Sequence, residues 1–324
     1  MNTVRILIKA RVLLLDIAGR LPRRRRRRSA RVAFFERKLH RVWGEALATL
    51  EELIASCAEL GDLAAQLQAE ESELFFALKL LRARACQVAW EVHALASSGY
   101  ADGAYARWRT LHEIAVVIEF LRKKGNPAAV AYLEHAQIKN RKILREYNEC
   151  QRELSYEPIP ESDIESAEQK KKELLKKYGD EFAEDYGWAS PFCTNKYPSF
   201  VDIRRESGYG HWKAHFGMAN HAVHAGPHGV LFRLGHPLDS KPAPLIGPSL
   251  LGLADPLHAT AISVMHATFS YVTQLRDPTR ETIGQALSLT SRMKYISQLS
   301  SRVGALASKA HDHMEAKYGR QRAV

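Results

Sequence analysis

The chain lacks most of the residues and motifs that announce a chemistry. Its 324 residues include four cysteines, Cys57, Cys86, Cys150 and Cys193, and no two of them form a CxxC pair. Neither a structural zinc site nor a disulfide framework is indicated, and this usage suits a reducing cytoplasm. Cys57 and Cys86 fall in apolar helical stretches, where a thiol serves as a small hydrophobe. Long apolar runs are also missing. The longest near the N-terminus, Val12 to Leu15, is far short of the ~20 residues needed to cross a bilayer. No GxxxxGK[ST] loop, GxGxxG turn, GxSxG elbow or HExxH pair occurs, which argues against ATP, NAD, α/β-hydrolase and zincin chemistry. No internal repeat and no useful strand alternation is present.

What is abundant is positive charge, and it is concentrated. Residues 1–41 hold 14 Lys and Arg against two acids, Asp16 and Glu36, while the whole chain is only +11. The body is therefore close to neutral, and a basic surface for tracking nucleic acid is not indicated there. Within this segment, residues 1–30 form an arm that includes the run Arg23, Arg24, Arg25, Arg26, Arg27, Arg28. Asp16 and that run contradict a signal peptide. Three readings fit the arm: an amphipathic helix on an anionic membrane surface, a grip on nucleic-acid phosphates, or a solvated tail.

Residues 31–324 read as an all-α domain, a helical bundle with a long Pro/Gly-rich insert before its last two helices. Apolar positions at helical spacing run from Arg31 to Leu60, where Gly61-Asp62 is expected to break the helix. A second helix is expected over about 63–95, ended by Ser97-Ser98-Gly99. Asp102 is positioned to cap a third, which Gly125-Asn126-Pro127 stops. A fourth follows over about 127–153. Ser162-x-x-Glu165 has the form of a capping box, opening a charged, projecting helix over about 162–179. Residues 188–208 read as irregular, and about 209–225 as helix. The stretch 226–256 contains five Gly and six Pro, the mark of a functional loop or a wrapping segment. Asp255-Pro256 and Asp277-Pro278 then open the two last helices.

Two constellations could carry chemistry. Arg109 and Glu113 stand four apart inside an otherwise apolar helix. The plain account is an ion pair that fixes packing; the functional one is an anion site in which Glu113 orients a partner. The second constellation is a density of histidines, His211, His215, His221, His224 and His228, with Asn220 four residues before His224. An i, i+4 His pair can ligate zinc, with His112, Glu113 or His135 as a third ligand. The commonest alternative is a neutral His224 in a helix-end hydrogen bond, and a general acid–base role is a further one.

The run ARWRTLHEIAVVIEFL, with its Arg-x3-Glu, and the run Trp212 to His224, ending Asn-x3-His-Ala, resemble the two signature helices of the DUF5677 family of bacterial helical proteins. The resemblance covers about residues 60–230. That family is similar to the HEPN superfamily, many of whose members are metal-independent ribonucleases in toxin and phage-defence systems. What the resemblance implies is an RNA substrate, no cofactor, and an Arg-x4-6-His site at a dimer interface, hence a homo-oligomer. Arg107 to His112 and Arg205 to His211 match that spacing. A composite site would instead join Arg109 and Glu113 to Asn220 and His224 across the bundle. Two other classes remain open: a non-catalytic module docking on nucleic acid or membrane through its arm, and a metal-dependent hydrolase using the histidines.

Overall fold

A computed structural model describes residues 2–68, 72–236, 244–275 and 283–319; for residues 2–29 only the backbone is described. It is a helical bundle, and no strand occurs among the described residues. Helix α1 (Asn2–Leu67) is continuous from the arm into the core, where Leu39, Trp43, Leu50, Leu53 and Ile54 are sealed from solvent. Helices α2 (Glu73–Ser97) and α3 (Ala101–Lys124) pack on each other. Helix α10 (Ala254–Val272) occupies the centre, against α1, α2, α3 and α11 (Ile283–Gly319). Its inner faces are rich in Ala, Ser and Thr, which let four neighbours approach closely, and Trp108 Nε1 donates to Ser263 Oγ (3.0 Å) across the α3–α10 contact.

Several boundaries differ from expectation for local physical reasons. Gly61-Asp62 does not break α1. Instead, the missing side chain at Gly61 makes room for the buried Arg82, which donates to the Ala58 carbonyl (3.1 Å) and pairs with Asp62 (3.0 Å). Helix α2 starts ten residues later than the apolar spacing suggested, where Ser72 Oγ accepts from the Phe75 amide (3.2 Å). The expected fourth helix is two, α4 (Asn126–Glu134) and α5 (Ala136–Cys150), meeting at the buried His135, whose Nε2 lies 2.9 Å from the Glu184 carbonyl. Helix α6 (Glu161–Tyr178) begins right after Pro160, so Ser162 sits inside its first turn and does not cap it. Rather than projecting freely, α6 lies against α5 through an Arg141–Glu168 pair (2.5 Å).

The segment that read as irregular contains α7 (Phe200–Glu206), opened by Ser199, whose N–H and O–H both donate to Asp202. A single 3₁₀ turn (Gly210–Trp212) leads into α8 (Lys213–Val223), and a short α9 (Pro227–Leu231) follows. Asp102 does not cap α3. Its carboxylate accepts from the Leu234 amide (3.1 Å) and pairs with Arg233 (3.1 Å), pinning the start of the Pro/Gly-rich stretch. The far end is held by Ser249, whose amide donates to the Gly99 carbonyl (2.9 Å), and by Trp43 Nε1 on the Leu250 carbonyl (2.9 Å). Asp255-Pro256 lies within the first turn of α10, and Asp277-Pro278 lies outside the described residues.

Candidate functional site

Helix α3 buries one stripe, Tyr105, Trp108, Leu111, His112 and Ala115, partly against α8. Arg109 and Glu113 stand at its edge, largely covered, with 27% and 24% of their side chains exposed. Helix α8 presents Phe216 and, one turn on, Asn220 toward them. Arg109 Nε donates to Asn220 Oδ1 (2.5 Å), and its Nη2 pairs with Glu113 Oε1 (2.9 Å). The guanidinium lies 4.6 Å from the centre of the Phe216 ring. A guanidinium carries five N–H donors. Two positions are engaged here, and no acceptor meets the others among the described residues.

The surroundings shift the charges of this cluster. Burial pushes the Glu113 carboxyl up, and Arg109 pulls it partly back. Burial, then the neighbouring Glu113 charge, pushes the Tyr186 phenol up to about 12. Behind Phe216 the site becomes sealed and aromatic. His112 is 1% exposed, with Trp108, Phe200, Tyr209, Trp212 and Phe216 around its ring. Burial first, and the Arg204 charge second, hold its pKa down at about 3, so it is neutral at physiological pH. Its Nε2 has no hydrogen-bond partner among the described residues. Arg204 on α7 is buried as well; it faces Phe200 and Phe216 (5.8 and 5.4 Å) and meets no carboxylate among the described residues.

The other candidates are placed as follows. His224 follows the last turn of α8 in extended backbone, its amide donating to the Asn220 carbonyl (3.1 Å). Its side chain is exposed, and no hydrogen bond joins it to the Arg109 cluster among the described residues. Arg107 and His112 are not brought together. Five residues on a straight helix turn through ~140°, so Arg107 reaches Glu91 on α2 and Thr110 while His112 enters the aromatic cage. Arg205 is exposed and pairs with Asp202 (3.4 Å), and His211 sits in the 3₁₀ turn beside Trp212.

The four histidines considered for metal do not converge. His215 Nδ1 meets the Tyr105 hydroxyl (3.2 Å), His221 stacks on His228 (4.0 Å), His211 lies beside Trp212, and His224 is exposed after the end of α8. Among the described residues no group of three or more His, Cys, Asp or Glu is placed to hold a metal ion. The backbone of Arg23 to Arg28 lies within α1, and their side chains fall outside the described part.

Sequence reasoning missed Arg204 and Tyr186, while Phe216 was readable as sharing a helix face with Asn220 and His224. The signal for Arg204 was Ser199-x-x-Asp202, a helix start that turns Ile203 and Arg204 inward. Among known proteins, the model of a family of unknown function, DUF5677, matches residues 75–241. That span holds both halves of the site and leaves out α1, α10 and α11. No curated protein and no solved structure matches.

Proposed function

The chain belongs to the DUF5677 family, and from that premise we propose that it is a metal-independent, HEPN-like endoribonuclease acting at Arg109, Glu113, Asn220 and His224. One observation carries the reading: Arg109 and Asn220, 111 positions apart, meet in a hydrogen bond. Each belongs to one of the two short helical runs that carry polar residues at i, i+4. A guanidinium with unspent donors, held in place by a carboxylate and an amide, is suited to a phosphodiester.

In this mechanism Arg109 binds the non-bridging phosphate oxygens. The Glu113 carboxylate takes the proton of the 2′-hydroxyl as that oxygen attacks phosphorus. The bond to the 5′-oxygen breaks, and His224 gives that oxygen its proton, leaving a 2′,3′-cyclic phosphate and a 5′-hydroxyl. Asn220 fixes the rotation of Arg109. His112, neutral and enclosed, shapes the wall behind Phe216 and takes no part in proton transfer. Its four free cysteines suit a reducing compartment, and we place the protein in the cytoplasm; among the described residues no helix is long and apolar enough to cross a membrane.

The test is cleavage of total RNA in EDTA by the wild type and His224→Ala. Cyclic-phosphate ends from the wild type alone support the assignment; no cleavage by the wild type, or equal cleavage by both, overturns it. A second reading, a non-catalytic module, is favoured by the continuity of α1 from Asn2. Six successive arginine positions take up about 1.7 turns of helix, so the run encircles the axis. That reading expects no turnover and a polyanion affinity that disappears when residues 1–30 are removed.

A further inference from the structure

A cleft of about 420 Å³ lies between α1 and the last turns of α11, away from the Arg109 site. Its walls bring together Lys38 and Arg41 from α1 with Lys309 and Lys317 from α11, and His313 stands among them. Among the described residues the one carboxylate in the lining, Glu45, is engaged by Arg302 (2.9 Å). None of the four Lys and Arg side chains has a carboxylate partner among the described residues. Like charges gathered without a counter-ion repel one another, and an anion relieves that cost. The floor is apolar, formed by Val42, Leu306 and Met314. One turn before Lys38, Phe34 is 55% exposed, and the Lys38 ammonium sits 4.9 Å from its ring centre.

We propose that this cleft binds the headgroup of an anionic phospholipid and docks this end of the molecule on an acidic membrane surface. The combination selects the occupant. The phosphates of a nucleic-acid duplex, whose bases are stacked inside, would answer the four cations and leave the apolar floor and Phe34 in water. An anionic lipid answers both, with its phosphate among the lysines and its glycerol and upper acyl carbons on the floor. Phe34 then enters the interfacial layer, where an aromatic ring beside cationic groups is favoured. The same helix carries the arm. Arg28 stands ten residues before Lys38, about 15 Å of helix rise, so a docked cleft brings the Arg run to the same surface. This inference does not depend on ribonuclease activity.

The full-length chain is to be floated with vesicles of phosphatidylcholine alone and with vesicles that also contain phosphatidylglycerol. The expected result is binding to the second kind only. The double variant Lys309→Ala/Lys317→Ala leaves α1 and its arm untouched, changes two exposed side chains, and should weaken that binding by about thirtyfold. Circular dichroism establishes that the variant is folded. No binding by the wild type, or undiminished binding by the double variant, overturns the assignment. So does displacement by inorganic phosphate alone, which makes the site one for a free anion. Loss of short-RNA binding in the double variant with vesicle binding intact makes it a nucleic-acid site and overturns it equally.

Discussion

Gly61 and Arg82 share one space: a β-carbon on Gly61 would fall 2.1 Å from Arg82 Nη1 and 2.5 Å from its Cδ. The glycine inside α1 is therefore the socket for a buried cation, whose charge is answered by Asp62 one residue on and by the Ala58 carbonyl. Helix propensity alone would favour alanine there by ~1 kcal/mol, so the geometry decides the sign.

Gly61→Ala is expected to destabilise the fold by about 1–3 kcal/mol, the range for overpacking a filled interior. Urea unfolding measures it. A midpoint equal to or above that of the wild type would show that Arg82 relocates at no cost.

Arg109→Ala should lower kcat/KM for RNA by ~10²–10³-fold, the effect of losing a donor aimed at developing phosphate charge. The Arg109 side chain is only 27% exposed and pairs with Glu113, so the thermal midpoint should fall as well, and the rate is read well below it on the folded variant. Asn220→Ala removes only the orienting bond and should cost less. Equal losses in both variants would mean that Asn220 touches the substrate itself.

The Glu113 carboxyl is raised by burial, so its ionised form is disfavoured in the fold. Two consequences follow for pH. Cleavage should climb as pH rises through that raised pKa, and Glu113→Gln should abolish the rise together with most of the activity. The stability contribution of Glu113 is fully present below the unfolded-state carboxyl pKa and is lost as pH rises through the folded value. A rate profile that is flat above the ordinary carboxylate range would remove Glu113 as the base.

His112 has the opposite signature. Its folded pKa is lowered to about 3 against 6.5. The stability tied to its neutral form is fully present above the unfolded value and is lost as pH falls through the window between the two. From pH 7 to pH 5 that loss is about 2 kcal/mol. His112→Phe keeps the ring and drops the titration, so its urea midpoint should fall less over the same interval. Parallel falls in the two proteins would place the acid sensitivity elsewhere.

Asp102 ties α3 to the start of the Pro/Gly-rich stretch through Leu234 and Arg233. Asp102→Ala should cost ~1 kcal/mol and speed hydrogen exchange at the Leu234 amide, while exchange in α10 stays slow. Unchanged exchange at Leu234 would show that Ser249 and Trp43 hold this stretch without it.

The helices of the body were legible where one face of a helix meets one core. The α3 stop at Gly125-Asn126-Pro127 and the buried character of Cys57 and Cys86 follow from local rules about backbone freedom and apolar spacing. The same rules misjudged Gly61 and the Ser162 box, because each was weighed without the neighbour that settles it. The pairing of Arg109 with Glu113 was readable, since residues four apart on one helix are neighbours by construction.

By itself, the sequence determined the all-α class, the neutral body with its basic N-terminal segment, and the two polar pairs at i, i+4 that make up the candidate site. Only the tertiary structure decided that Arg109 meets Asn220, that Arg107 turns away from His112, and that His112 is closed inside five aromatic rings. The physical reason is one of range. Helical periodicity specifies which residues share a face. Which faces meet depends on packing between segments more than a hundred residues apart, and that packing in turn sets burial and, through burial, charge.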